Sequence, residues 1–398
     1  MLQCLNDIRV IEVGQVLAAP FAGMILGDLG AQVIKVEPPG GDSARKTPPH
    51  FHKGESIYFM TLNRNKKSVV LDLTREEGLR VFHDLVKKCD VVLDNLRPGV
   101  AEKLNIHHGA LASINPAIIC CSINGYGSQT PEASKPAFDL MIQARGGGMS
   151  LTGTPEGPPV RMGVSITDHV AAIYAVAGIL AALHERNRTG LGQRVEVPLL
   201  STMISLLSYE AGFYLYSGQV PGPVGSGHRS LIPYNAVTAS DGHLVVDAHL
   251  PKFWSALCRV LERPDLERDP RFETLEARNR HRQELLPLLD REFSRRSRKE
   301  WLAALEPAGI PCAPLQDLGE ALSDPATLAL HMVPQIHHRG VDLQFRTPGN
   351  PISLSRTPQG PHGSPPLLGE HTEDVLQNLL GYDGEKLAKL RKRGAIIS

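Results

Sequence analysis

Asp168 opens the run DHVAAIYAVAGILAALHER, which carries no formal charge from Val170 to Leu183. Ile173, Val176, Ala177, Leu180 and Leu183 follow helical spacing, and the other side is nearly as apolar. A helix from about Asp168 to Arg186 that is apolar nearly all round is expected to be buried. A carboxylate then sits at the N-terminal end of a buried helix. Burial disfavours its charge, while the free N–H groups of the first turn favour it by roughly 0.3–2 kcal/mol. If the N-terminus prevails, the group is ionised and poorly solvated, a competent nucleophile toward a thioester. Aspartate is also a common N-cap. Residue types alone leave both roles open.

Three other segments could carry chemistry. Gly146, Gly147 and Gly148 would let backbone approach a ligand closely, or form a flexible turn. The basic cluster Asn63–Ser68 (NRNKKS) could cradle phosphates or face water. Asp94–Val100 (DNLRPGV) follows an apolar strand, where doubly wound sheets bind ligands, although turn chemistry explains its Pro and Gly equally well. The first strand is followed by GQVLAAPFAG and not by GxGxxG, and neither GxxxxGK[ST] nor GxSxG occurs. These absences argue against a nicotinamide dehydrogenase, a P-loop enzyme and an α/β-hydrolase.

The elements that must position these residues alternate. Ile8–Val13, Gln32–Glu37, Ser68–Leu73, Asp90–Asn95 and Ala117–Ile123 read as buried strands. Pro20–Leu29 and Thr74–Lys88 read as helices, the latter with Thr74 at the N-cap and Glu77 three residues on. That order implies an α/β fold with a mostly parallel sheet covered on both faces. A further helix is expected over Leu199–Tyr216. The Gly/Pro-rich stretch Ser217–Ser230 then reads as a linker or functional loop. Beyond it come a short strand at Leu244–Asp247, Arg- and Glu-rich helices, and a helical C-terminal segment from Thr372 to Arg393. The expected organisation is a large domain over 1–216, a linker and small domain over 217–330, and a return to the large domain over 331–398.

Composition narrows the function class. The chain has 398 residues, with 42 Lys and Arg against 42 Asp and Glu, so its formal net charge is zero. A dedicated nucleic-acid binder would show a basic excess. No apolar run looks long enough to cross a membrane, since Gly, Pro, His or charge interrupts each candidate. The N-terminus lacks the pattern of a signal peptide. The six cysteines form no CxxC pair and mostly lie in apolar runs, as in a reduced, cytoplasmic protein without a zinc site.

Read in order, IRVIEVGQVLAAPFAGMILGDLGAQVIKVEPPGGD, NRNKKSVVLDL, CDVVLDNLRPGV, NPAIICCSINGYG, FDLMIQARGG, DHVAAIYAVAGILAAL, RTGLGQRVEV and PPLLGEHTEDV resemble the family III CoA-transferases, the group with formyl-CoA, carnitine and dicarboxylate CoA-transferases. The likeness covers nearly the whole chain. It implies a Rossmann-like large domain built from both chain ends, a small α+β domain, and two subunits interlocked as a homodimer. It implies that Asp168 is the nucleophile. The aspartate would attack a donor acyl-CoA to form a mixed anhydride, then an aspartyl-CoA thioester, then a second anhydride with the acceptor acid. Coenzyme A and acyl-CoA are thus substrates, with no permanently bound cofactor, metal, nucleic acid or membrane.

Matched positions imply coenzyme A contacts at Leu17, Ala18, Leu71, Leu73, Asn95, Leu96, Arg97 and Lys103, with Phe138 and Asp139 near the thiol end. Formyl-CoA members carry an arginine where this chain has Pro38, and a four-glycine run that is absent here. Their nucleotide contacts and gating therefore differ from this chain's. The related α-methylacyl-CoA racemases need a His and a Glu, where this chain aligns Phe138 and Leu250, neither of which can take a proton. The stretch Gly225–Val237 (GSGHRSLIPYNAV) is similar to dicarboxylate-type transferases using succinyl-CoA and glutarate. On that likeness His228 and Arg229 would bind the distal carboxylate of a dicarboxylic acid, or form only a solvated linker. An intramolecular CoA shift and a non-catalytic acyl-CoA-binding role remain as alternatives.

Overall fold

Alternate residues along the first strands face opposite ways, and each set enters a different apolar cluster. In the computed structural model, which describes residues 3–360 and 362–396, the strands are β1 (Arg9–Glu12), β2 (Gln32–Glu37), β3 (Lys66–Val70), β4 (Val91–Asp94), β5 (Ile119–Asn124) and β6 (Arg194–Pro198). Val10, Val33, Val91 and Ile119 lie on one face with helices α1 (Ala18–Asp28) and α4 (Ile166–Thr189). Ile11, Ile34, Val92 and Cys120 lie on the other face. There they meet α2 (Glu76–Val86) and the C-terminal helices around Val375 and Leu387. A strand covered on both faces needs an apolar residue at nearly every position, which is why these runs lack polar alternation. Each fully buried Val, Ile, Leu or Phe contributes about 1.5–3 kcal/mol.

The sheet order is β3-β2-β1-β4-β5-β6, and every pairing is parallel. This is a Rossmann-like doubly wound order whose direction reverses between β1 and β4. Chain packing divides into two compact units. The first comprises Met1–Gly148, Met162–Leu215 and Pro325–Ser398; the second comprises Met149–Arg161 and Tyr216–Asp324. The second unit holds a three-stranded antiparallel sheet, β9-β8-β7, from β7 (Tyr234–Ala239), β8 (Gly242–Asp247) and β9 (Cys312–Pro314). Helices pack on it around Trp254, Phe272, Phe293 and Trp301.

Several local expectations change. Helix α2 begins at Glu76 and not at Thr74, because the Thr74 hydroxyl donates to Asp72 Oδ1 at 2.5 Å. Strand β3 runs over Lys66–Val70, starting two residues and ending three residues before the expected Ser68–Leu73. Strand β6 has no counterpart in the sequence reading, because its charged Arg194 and Glu196 break the continuous apolar run that marks the other strands. Helix α4 meets the length and composition of a membrane span, contrary to the reading that no run does. It packs on α1, β5 and β6, with Ala171, Ala172, Ala175 and Ile179 fully buried. Its opposite stripe is not buried within the chain: Ile173 is 54 % exposed, and Ala177 and Leu180 lie beside it on the surface.

Candidate active site

Residues that follow β1, β4 and β5 converge where the strand order reverses. Gln15–Ala18 leave β1, Asn95–Pro98 leave β4, and Asn124 and Gly125 end β5. Together with Lys135–Phe138, Asp168 and Leu199 they line a cavity of about 400 Å³. In an open parallel sheet this crevice is the natural ligand site, since loops on both sides separate there.

Asp168 reaches the cavity from the first turn of α4, third after the N-cap Ser165. It is half-buried. Burial, with a smaller contribution from the negative charge of Asp139, pushes its carboxyl up to about 7. Burial thus prevails over the helix N-terminus, the reverse of the ionised outcome considered from sequence. The neighbouring charge also reaches Tyr58, whose hydroxyl is pushed up to about 12 by burial and then by Asp168 and Asp42. His169 turns away from this cavity: its Nδ1 lies 2.8 Å from the Ser165 carbonyl. It borders a second, mostly apolar cavity of about 330 Å³ with Leu17, His50, Tyr58 and Thr61.

Asp139 is buried at the start of α3 (Asp139–Arg145) and does not line the cavity. Its Oδ1 accepts the Thr167 N–H at 2.9 Å and the Thr167 hydroxyl at 2.6 Å, while Oδ2 accepts Gln143 Nε2 at 2.7 Å. Gln143 Oε1 in turn accepts the Met162 N–H at 2.8 Å. A carboxylate from one helix therefore caps the next, satisfying an N–H that the first turn of α4 leaves open.

Of the other expected contacts, Leu17, Ala18, Asn95, Leu96, Arg97 and Phe138 line the cavity, and Phe138 is 59 % exposed. Asn95 turns its amide inward: Oδ1 accepts the Gln15 N–H at 2.9 Å and Nδ2 donates to the Gln15 carbonyl at 2.8 Å. Leu71, Leu73 and Lys103 do not line it. Leu71 is 1 % exposed within the core against α2, and Leu73 packs at its edge. Lys103 lies exposed at the end of the short helix Val100–Lys103. His228 and Arg229 lie in the second unit, whose loop is held by Arg282. That residue donates to the carbonyls of Arg229 at 3.2 Å and of His228 at 2.9 Å. His228 Nδ1 accepts the N–H groups of Ser230 and Leu231, which places the ring proton on Nε2. Arg229 Nη2 donates to the Gly222 carbonyl at 2.7 Å.

Two segments that the sequence left open, between a ligand role and a surface turn, are held by internal contacts instead. In the basic cluster, Arg64 forms a two-pronged pair with Asp28 at 2.9 and 2.7 Å, and Lys66 pairs with Glu12 at 2.8 Å. Only Lys67 stays exposed among these cations, paired with Asp374. The glycine run answers a packing demand: a Cβ on Gly146 would lie 2.4 Å from Met203 Cγ. Sequence reading missed Gln15, Val16, Ser43 and Lys135 at the cavity. Lys135 had one signal, its closeness to Phe138 in the chain. Ser43 had none, because it enters from the loop after β2. Among the described residues no cluster of His, Cys, Asp or Glu suits a metal ion.

Comparison with known proteins places this geometry. A sequence model of CoA-transferase family III matches residues 5–372. The chain is 36 % identical to succinyl-CoA:glutarate CoA-transferase of Mus musculus, over 98 % of this chain and 90 % of that one. It is 36 % identical to succinyl-CoA:mesaconate CoA-transferase of Haloarcula hispanica, over 94 % and 95 %. A solved CAIB/BAIF family protein from Brucella suis superposes with a TM-score of 0.86 at 34 % identity, covering 95 % of this chain and 100 % of that one. The crevice at the strand reversal, the missing dinucleotide and P-loop signatures and these full-length likenesses agree: the chain belongs to CoA-transferase family III and is a CoA-transferase.

Proposed function

We propose that the protein moves coenzyme A from succinyl-CoA to a dicarboxylic acid through a covalent intermediate on Asp168. One observation carries this reading. Asp168 is the carboxylate of the switch-point cavity that is half-buried, shared with the Phe138 ring, and offset by no cation among the described residues. A carboxylate held near neutrality by burial is ionised often enough to attack and is poorly solvated when it does. Relatives named for succinyl-CoA with glutarate and with mesaconate support both donor and acceptor class.

The Asp168 carboxylate attacks the thioester carbonyl, and the C–S bond breaks to give a mixed anhydride and CoA thiolate. The thiolate attacks the aspartyl carbonyl, which gives aspartyl-CoA and releases the donor acid. The acceptor carboxylate attacks aspartyl-CoA and again expels thiolate. Thiolate attack on the acceptor's carbonyl then forms the new acyl-CoA and restores the Asp168 carboxylate. Arg97 and Lys135, both at the cavity, are suited to the phosphates of coenzyme A. In the second unit, His228 with its proton on Nε2 and Arg229 are suited to the acceptor's distal carboxylate. A racemase would need a second proton carrier, and neither Phe138 nor Leu250 is one.

The proposal extends to assembly and compartment. The exposed stripe of Ile173, Ala177 and Leu180 on α4, with exposed Tyr209, Phe213 and Tyr216 on α5 (Leu199–Ser217), suits burial against a second copy in an interlocked homodimer. All six cysteines are free, which suits a reducing cytoplasm. The central test is trapping. With succinyl-CoA and hydroxylamine, mass spectrometry should find a hydroxamate on Asp168. Exchange of label between succinate and succinyl-CoA at the wild-type rate in Asp168→Asn would overturn the reading.

A further inference from the structure

The turn between β1 and α1 supplies four consecutive residues, Gln15 to Ala18, to the cavity that Asp168 enters. Within it Val16 has φ 66°. The left-handed region is a true outlier for a β-branched residue, and such strain persists only where the surroundings over-determine it. Here they do. The Gly14 carbonyl accepts from buried Lys35 Nζ at 2.8 Å. Both backbone groups of Gln15 are held by Asn95. The Val16 N–H donates to Asp42 Oδ1 at 3.1 Å. Gly14 also lets the turn close on α1, since a Cβ there would lie 2.3 Å from Ala19 Cβ.

Asp42 is itself rigidly placed. It is fully buried, and its own N–H donates to Glu37 Oε2 at 2.9 Å. Its Oδ1 also accepts the Ala44 N–H at 2.9 Å, and its Oδ2 pairs with Lys35 at 2.9 Å. Lys35 reaches Glu12 at 2.9 Å as well. A buried charged network thus terminates on the backbone of a cavity wall, through a residue that does not itself line the cavity.

We propose that Asp42 is a positioning residue of the transfer reaction: by holding the Val16 N–H, it keeps the β1–α1 turn in the left-handed shape against which the thioester is presented to Asp168. This rests on the reading of Asp168 as nucleophile. It concerns orientation, so the effect falls on kcat more than on KM.

The full-length protein tests it. Asp42→Ala should lower kcat about 100-fold, the scale of a 1 Å misplacement, with a much smaller change in the succinyl-CoA KM. Adding Val16→Gly to that variant should recover about tenfold or more, because glycine adopts positive φ unaided. Val16→Pro removes the N–H and fixes φ near about −65° while leaving the buried charges intact, so it should reproduce the kcat loss even if Asp42→Ala fails to fold. A crystal structure of Asp42→Ala should show Val16 at negative φ. Wild-type kcat in Val16→Pro, or a loss in Asp42→Ala that Val16→Gly does not relieve, overturns the proposal. Asp168→Asn run in parallel separates the two readings. Exchange surviving there refutes the nucleophile, whereas an inactive Asp168→Asn beside a fully active Val16→Pro refutes the positioning role alone.

Discussion

Asp139 caps α4 from outside the helix, its Oδ1 accepting both the N–H and the hydroxyl of Thr167, the residue before Asp168. These two bonds fix where Asp168 stands, and the same carboxylate adds to the rise in its pKa that burial produces. Because only the ionised form attacks, kcat/KM should rise with pH through an acid limb near 7. Asp139→Asn keeps an acceptor for Thr167 but removes the charge. The limb should then move to lower pH, by less than burial alone displaces it. An unmoved limb, in a variant that binds succinyl-CoA normally, would show that Asp139 exerts no electrostatic influence.

The same displacement links to stability. The folded-state pKa of Asp168 lies above its unfolded value, from 3.8 to about 7. The protonated group costs nothing, so its contribution is intact below about 4 and is lost as pH rises through 7. The cost at pH 8 is on the order of 2–4 kcal/mol. Asp168→Asn should therefore raise Tm at pH 8 and leave it nearly unchanged at pH 4. Equal Tm differences at both pH values would contradict this.

Lys35 touches Glu12, Asp42 and the Gly14 carbonyl with no solvent contact. Burial lowers its pKa, but the negative charges of Glu12, Asp42 and nearby Glu37 together hold it above the usual lysine value. Lys35→Met leaves Glu12 with Lys66 alone and Asp42 with backbone N–H donors but no opposing charge in contact, which should cost about 3–5 kcal/mol in urea denaturation. A loss below about 1 kcal/mol would mean that water or Lys66 replaces the pair.

Arg229 should discriminate among acceptors. In Arg229→Ala the KM for glutarate should rise roughly 10–100-fold, the range of one charge-assisted hydrogen bond, while a monocarboxylate of similar length changes little. Equal rises for both acids would assign the loop a purely structural task.

Much of the fold could be read before any coordinates. The apolar runs of β1, β2, β4 and β5 are continuous because both faces are covered, and that property belongs to each strand alone. The resemblance singled out Asp168, and the cavity is where that residue stands. Other features depended on partners far away in the chain. Arg64 and Lys66 look like a solvated basic patch until Asp28 and Glu12 are seen against them. Gly146 looks like a ligand-approach glycine until Met203 fills the space. Asn95 lines the cavity, and the two bonds from its amide to the Gln15 backbone join residues 80 apart in the chain. Local pattern determined which segments are strands, which helix is apolar and where a carboxylate begins it, because those follow from neighbours in the chain. Tertiary structure alone decided which charges are buried, what holds Val16 in its strained turn and that Asp168 sits near neutrality, because each depends on desolvation and on groups brought together only by folding.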